Sequence, residues 1–404
     1  MTLTVSPTPR LRPPAPATAP FAGTLTAFTL TAILVSGQLY VVIPLLHDMA
    51  TGWGASPGGL TWLVTAFGIG YGIGFLVFGP LSDRYGRRRL LMIGLPLAAL
   101  TTALVALSPS PEVAMGLRAV QGVAVAMFPP AGMAYLGERL EPRRRVVAIA
   151  AVTGAFLASA VLLQVGAQLL VDVIGWRGLF ALSAAGFVLA ALGLRAVMLP
   201  DLPRETTAPA GAGTGSSLLS AYRPLPGLLF HRVLSLRYLA TIMLMVSFVA
   251  VYTGLQIYGG TTPAELLALR AAGLPSIVLM PLLMPWLARI RMTTRAVAFL
   301  AVAALTLAAV GLTGTAVLVL LLALYVAAIT GGLPSMNESI SAEAGGARGT
   351  ALALFSAALA VGGSVGPQVA AAFGGFTPLM YGLATGMALA ALLVLVSTWM
   401  GGKR

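Results

Sequence analysis

The chain has 404 residues, of which 58% are hydrophobic and only 9% charged. A soluble domain is roughly 25% charged, so this chain cannot clothe a water-facing surface; its solvent is lipid, and twelve spans of about 20 residues each would use up the apolar share. Lys and Arg number 24 against 11 Asp and Glu, a formal +13, while zero cysteines exclude disulfides and thiolate chemistry and two histidines, His47 and His231, are too few for a histidine metal site.

The positive charge is divided into short clusters between apolar runs. That distribution argues against a nucleic-acid surface, which would gather its cations on one soluble face. It fits the bias that keeps arginine and lysine on the cytoplasmic side of a bilayer. The first 21 residues hold Pro7, Pro9, Pro13, Pro14, Pro16 and Pro20 with Arg10 and Arg12. Such a run cannot propagate a helix, so a disordered cytoplasmic tail is expected, with no cleavage site to mark a signal peptide.

Apolar spans are then predicted at 24–46, 60–81, 90–107, 113–136, 146–171 and 178–199, and again at 238–258, 264–287, 296–313, 315–336, 348–373 and 378–400. The expected fold is an all-α integral membrane protein of twelve transmembrane helices: an N-terminal six-helix bundle over 22–200, a cytoplasmic linker over 201–237, a C-terminal six-helix bundle over 238–400 and a short tail, 401–404. Within the linker, residues 203–217 are flexible by composition. Residues 218–237 mix Leu and Phe with Arg223, Arg232 and Arg237, so they read either as an interfacial segment on anionic lipid or as a plain tether. Counting charges loop by loop gathers Arg84, Arg87, Arg88, Arg89, Arg139 and Arg143–Arg145 on one side together with Arg289, Arg291, Arg295 and Arg348. Both termini are therefore expected in the cytoplasm. The stretch 79–90 also lies over 284–295, pairing Pro80 with Pro285 and Arg84 with Arg289 at a displacement of 205 residues. Parallel repeats about a membrane-normal axis are one transporter plan.

At the end of span 2 stands Gly79-Pro-Leu-Ser-Asp83-Arg84-Tyr-Gly86-Arg87-Arg88-Arg89. It resembles the signature loop between helices 2 and 3 of the major facilitator superfamily at every defining position. Arg118 with Gln121-Gly122 in span 4 is similar to that family's Arg-x-x-x-Gly element, and Gly175-Trp176-Arg177 with Phe180 resembles the Trp-Arg turn of its efflux members. The resemblance implies two pseudo-symmetric bundles that rock about a central cavity, helices 2 and 11 meeting between them, and a conformational gate at Gly79, Asp83, Arg84, Gly86, Arg87 and Arg88. It points to the drug and sugar-efflux-like branch.

Physical reasoning adds to this. Asp83 would face the start of span 11, around Gly346–Thr350, where a helix N-terminus favours a carboxylate by about 0.3–1 kcal/mol. That makes a latch; the other reading of 82–89 is a topology anchor. Span 2 carries Gly68, Gly70, Gly72 and Gly74, and span 11 carries Gly362, Gly363 and Gly366. These serve either a mobile contact between bundles or static packing within one. Arg118 lies inside span 4, where a bare charge costs at least about 2.5–3.5 kcal/mol. It is expected to face a wet cavity and pair with Asp48, Glu112 or Asp172, or else to snorkel. Arg270 poses the same choice, with Glu265 or water as partner. Polar side chains at helical spacing mark a candidate substrate and proton pathway: Ser36 and Tyr40, Gln121, Gln164 with Gln168 and Asp172, Tyr252 with Gln256, and Ser364 with Gln368. The same groups could instead bind helices together. Asn337 and Glu338 would join an inner gate or cap span 10.

One departure from the efflux pattern bears on coupling. The stretch 154–164 has no proline, and no acid occupies the middle third of any span, leaving Asp48, Glu112, Asp172, Glu265 and Glu338 at the periphery. No phosphate-binding loop, cofactor motif or clustered catalytic group appears, so an enzyme is not expected. The sequence predicts a monomeric secondary transporter in a bacterial inner membrane, exporting a small apolar or amphipathic solute with protons as the candidate counter-ion. The alternatives are uptake of a sugar, metabolite or organic anion, and a non-transporting receptor on the same fold.

Overall fold

The computed structural model describes residues 18–201, 225–259, 262–310, 315–345 and 348–401; the expected tail at 1–17, most of the linker (202–224) and the side chain of Asp83 lie outside what is described. Among the described residues the chain is helical, with no strand. The first half comprises α1 (Phe21–Gly37), α2 (Leu46–Trp53), α3 (Trp62–Tyr85), α4 (Arg87–Ala106), α5 (Pro111–Val125), α6 (Phe128–Arg139) and α7 (Pro142–Val197). The second comprises α8 (Leu225–Leu229), α9 (Arg232–Tyr258), α10 (Pro263–Ala271), α11 (Leu274–Leu287), α12 (Met292–Val310), α13 (Thr315–Glu343), α14 (Arg348–Ala372) and α15 (Phe376–Gly401).

Among the described residues, nine helices are long and apolar enough to cross a membrane. The twelve predicted crossings follow once three interruptions are recognised. Two spans meet inside α7 at Gly175, whose φ of 67° only glycine adopts without strain. The first span continues past α1 through turns to Leu45. The eighth is broken between α10 and α11 at Ala272 and Gly273. Helices in lipid need no polar stripe, which is why these sequences are apolar on most faces.

The repeat is visible in which helices touch. In the first half α1 packs on α7, α3 on α5, and α4 on both α5 and α7; in the second α9 packs on α14 and α15, α11 on α13, and α12 on both α13 and α15. These are the same pairings in the same order, as parallel repeats require. Between the halves α3 packs on α14, and its repeat partner, α10 with α11, packs on α7.

The two overlapping glycine pairs of α3 turn out to serve different neighbours. Gly70 and Gly74 face their own half: a Cβ at Gly70 would lie 2.0 Å from the Ala119 carbonyl oxygen, and one at Gly74 2.4 Å from Ala126. Gly68 and Gly72 face the other half, where a Cβ would come within 2.1 Å of Ser364 Oγ and 3.2 Å of Ala360. Both readings of the stripe therefore hold, one for each pair. In α14, Gly362 and Gly366 likewise abut α9 while Gly363 meets Leu39 of the opposite half.

The expected interfacial segment at 218–237 needs correction at its end. Helix α9 begins at Arg232, and Arg237 is buried inside the second half, donating to the Ser339 carbonyl at 2.7 Å and to Ser397 Oγ at 3.2 Å with Glu343 at 3.5 Å. A guanidinium one turn inside a helix end can be satisfied by neighbouring carbonyls, so it does not mark a surface segment.

Candidate functional site

Between the halves lies a cavity of about 980 Å³. Its deep end is formed by Tyr40, Val161, Phe248 and Val326, and its mouth by Ser82, Leu225, Glu338 and Arg348 at the arginine-rich end of the molecule. The walls are mainly aromatic and aliphatic, including Tyr71, Phe75, Met133, Phe156, Met245 and Phe355, with Ser36, Thr153, Thr330 and Asn337 as scattered hydroxyls and an amide. A pocket with this balance binds apolar bodies by area and orients them with a few polar groups.

The opposite end is closed. Hydrogen bonds crossing between the halves gather there: Thr65 Oγ1 donates to the Ser364 carbonyl at 2.6 Å, and Gln368 Nε2 donates to Thr61 and Thr65 hydroxyls at 3.1 and 3.0 Å. Arg270 of α10 donates to Gln168 of α7 and to Gln256 of α9. This cluster stands just beyond the cavity floor, since a Cβ at Gly273 would touch Val326, Val161 and the Tyr252 hydroxyl within 3.4 Å. At the arginine-rich end the pairs seen among the described residues stay within a half. Arg87 donates to Ser82 Oγ and to Glu138, each at 2.9 Å, while Arg295 donates to Ser335 Oγ at 2.8 Å and to Glu338. The two halves thus carry the same device, an arginine after span 2 or 8 on an acid at the end of span 4 or 10.

Several expectations about single residues change. Arg118 finds none of the proposed acids and does not snorkel. It is fully buried, with Nε on the Leu63 carbonyl (3.2 Å), one amino group on Gln121 Oε1 (2.7 Å), the other on the Gln38 carbonyl (2.8 Å), and the Phe67 ring 4.3 Å away. Gln121 continues the network to Thr102 and to the Gln38 side chain. Neither Arg118 nor Gln121 lines the cavity; they form a polar hub inside the first half. Arg270 pairs with amides rather than Glu265, which instead closes a capping box with Thr262. Gln164 is buried and bonds back to the Ala160 carbonyl, so it does not share a wet face with Gln168 and Asp172. Tyr252 is buried behind the floor, and Ser364 and Gln368 belong to the closure. Of the residues predicted for the pathway, Ser36, Tyr40 and Glu338 line the cavity. Its aromatic and methionine walls were missed because, in a lipid-embedded helix, an apolar side chain facing a cavity reads like one facing acyl chains.

The turn after α3 is built differently from the sequence reading. Gly86 has φ 98°, and a Cβ there would come 2.4 Å from the Asp201 carboxylate. Asp201 accepts the backbone N–H groups of Arg88 (2.8 Å) and Arg89 (3.1 Å), so this acid, which the motif does not contain, caps α4. Glu112, at the first turn of α5, sits where an acid favours a helix N-terminus. The Trp-Arg turn pins the far end of α4: Arg177 donates to the Ala106 and Ser108 carbonyls at 2.6 and 3.2 Å and stacks 4.2 Å from the Trp176 ring.

Beyond the closed end, Asp48 of α2 faces Asp172. Partial desolvation, and behind it the charge of Asp172, push the Asp48 carboxyl above its ordinary range, against smaller opposing effects from its backbone hydrogen bond and His47. A carboxyl raised on folding favours the protonated form in the folded state. Its contribution to stability is full below the ordinary carboxylate value of about 3.9 and is lost as pH rises through the raised folded value. Asp48→Asn is therefore expected to flatten the acid-side rise of melting temperature relative to the parent; parallel curves for the two proteins would show that the Asp48 carboxyl is not raised on folding.

A two-bundle, twelve-crossing membrane fold with a cavity between its repeats, closed at one end, is that of a transporter and not of an enzyme. The chain belongs to the Major Facilitator Superfamily, whose sequence profile matches residues 28–367. It is similar to the uncharacterized MFS-type transporter YybF of Bacillus subtilis, 35% identical over 104 residues (26% of each chain), and to the tetracenomycin C resistance and export protein of Streptomyces glaucescens, 28% identical over 166 residues (41% of this chain, 31% of that one). These alignments span under a third of either relative's length. In fold it resembles a bacterial homolog of the human lysosomal transporter Spinster, crystallised in an inward-facing, unoccupied conformation, with TM-score 0.69 at 15% identity over 93% of this chain and 94% of the other.

Proposed function

We propose that the chain is a secondary active transporter that exports a small apolar or amphipathic solute from the cytoplasm by alternating access, with protons moving the other way. The observation that carries this reading is the aromatic-walled cavity of about 980 Å³ between two halves that touch at one end. The arginine clusters support an orientation with the cavity mouth and both termini on the cytoplasmic side of a bacterial inner membrane. In that orientation the described arrangement is the loading state of an exporter. Similarity to a protein named for tetracenomycin C resistance and export supports the direction, and with no phosphate-binding loop in the sequence the energy source is a gradient or an external partner.

In this reading the turn 79–89 is the conformational gate, with Asp83 latching the halves when the cytoplasmic end closes. Glu338 at the mouth is the acid placed for proton exchange, since protonation would release Arg295. A second reading, movement of an organic anion, has one observation in its favour: among the described residues the buried Arg270 is held by two amides and no carboxylate.

The test is solute flux in proteoliposomes carrying a pH dye, with lipophilic cations, sugars and organic anions added in turn. Flux of lipophilic cations with opposed proton movement is expected, and Asp83→Asn and Glu338→Gln should each slow it about tenfold while leaving insertion intact, the cost of removing one charged partner being roughly 1.4 kcal/mol at the barrier. Flux confined to organic anions would move the assignment to the second reading. Binding with no flux of any solute would point to a receptor.

A further inference from the structure

On the lipid-facing side of the first half, α4 and the second part of α7 leave a groove of about 280 Å³ lined by Arg88, Met92, Pro96, Ala191, Leu192 and Arg195. Arg88, Met92 and Pro96 fall at i, i+4 and i+8, so they form one stripe about 12 Å long down α4. Arg88 lies in the first turn of α4 and Arg195 in the last turn of α7, which places both guanidinium groups at the same end of the groove. Leu192 in its lining, and Ile93 and Leu189 on the same two helices, are all more than half exposed, as side chains are where acyl chains cover them. The groove thus runs from a pair of cations at the membrane surface toward the bilayer interior.

These cations lack an anionic partner among the described residues. Arg88 Nε is buried with no hydrogen bond, and the side chain's one hydrogen bond among the described residues is a long one, 3.5 Å, to the Arg195 carbonyl. The Arg195 guanidinium makes no hydrogen bond or ion pair with any described residue. The nearby carboxylate, Asp201, is engaged by the backbone N–H groups of Arg88 and Arg89, so the helix end is already capped and the side-chain charges are left over. Two like charges facing one lipid-side groove call for a shared anion with several acceptor oxygens, and a phosphodiester meets two guanidinium forks in that way. Basic pockets between spans at the membrane surface are suited to anionic headgroups.

We propose that this groove holds one acidic phospholipid, its phosphodiester between Arg88 and Arg195 and an acyl chain along Met92, Pro96 and Leu192. The lone small residue at the wall, Ala191, leaves the space for the chain. Both helices belong to the first half and the groove lies apart from the solute cavity, while Arg88 also belongs to the turn 79–89 that the proposed function makes the gate, so Arg195 and Ala191 are the positions that test the site separately.

Native mass spectrometry of the full chain tests this, with dioleoylphosphatidylglycerol, dioleoylphosphatidylethanolamine and inorganic phosphate as probes. One phosphatidylglycerol should be retained at least about fivefold over phosphatidylethanolamine, the scale of one charge-assisted contact. Arg195→Gln, which removes a charge, and Ala191→Trp, which fills the groove and keeps both charges, should each abolish that preference; Arg291→Gln, an exposed arginine at the same end, should not. Melting temperatures of the variants separate loss of the site from loss of the fold. Equal retention of the two lipids, or a preference surviving in both groove variants, overturns the proposal. Displacement of the lipid by millimolar phosphate would also overturn it, making the pair a site for a free anion.

Discussion

Arg118→Lys is expected to lose about 3 kcal/mol of stability, despite keeping the charge, because two of three buried acceptors lose their donor. The guanidinium reaches the Leu63 carbonyl in the first turn of α3, the Gln38 carbonyl after α1 and Gln121 on its own helix, while lying 4.3 Å from the Phe67 ring and 5.9 Å from Phe180 of α7. Four spans are tied by one planar fork. A lysine ammonium is a compact point charge that cannot meet acceptors set in three directions or stack on a ring. Its fully buried position also denies it the water that would replace the lost bonds. Arg118→Leu should be worse or similar, since it strands the same carbonyls and the Gln121 amide. Thermal unfolding of purified protein in detergent gives the measurement: a fall of at least about 5 °C is expected for the lysine variant, taking a few degrees per kcal/mol for a domain of this size. A lysine variant melting within about 2 °C of the parent, on the same scale, would mean that charge alone suffices there.

That hub also marks how far the sequence could be read. A charged residue in the middle of an apolar run announces a buried interaction, and Arg118 was found by that rule. The partner was misjudged because carbonyl oxygens belong to every residue and leave no trace in composition, whereas carboxylates can be counted. Arg270 repeats the lesson with two glutamines. The motif at 79–89 located the turn and its arginines, yet the acid capping that turn, Asp201, lies more than a hundred positions away. The count of spans was legible from apolar run length even where helices break, as at Gly175 and between α10 and α11. What periodicity could not supply was direction: the spacing of Gly68, Gly70, Gly72 and Gly74 shows two faces without saying which neighbour each face meets.

The two faces predict opposite fates for the same substitution. In Gly70→Val the new Cβ would lie 2.0 Å from the Ala119 carbonyl oxygen and 3.2 Å from the Val123 nitrogen, both backbone atoms of the helix α3 packs on within its own half. Nothing there can yield except the bundle, so the variant should fail to accumulate in folded form, overpacking costing about 1–3 kcal/mol or more. In Gly68→Val the clash is with Ser364, at 2.1 Å from its Oγ and 3.1 Å from its Cα, across the contact that closes the far end of the cavity. Here a response is available that leaves each half intact: the halves part, as alternating access requires, and the equilibrium moves toward the state open at that end. A chain without cysteines makes the readout direct. Thr61→Cys places a thiol at a position with no exposed surface in the closed arrangement. In that background Gly68→Val should raise labelling by a water-soluble maleimide about tenfold, as a shift of roughly 1.4 kcal/mol between states would, with the melting temperature nearly kept. If Gly68→Val instead destroys the fold as Gly70→Val does, or leaves Thr61→Cys as protected as before, then the α3–α14 contact is fixed packing and the closing surface lies elsewhere.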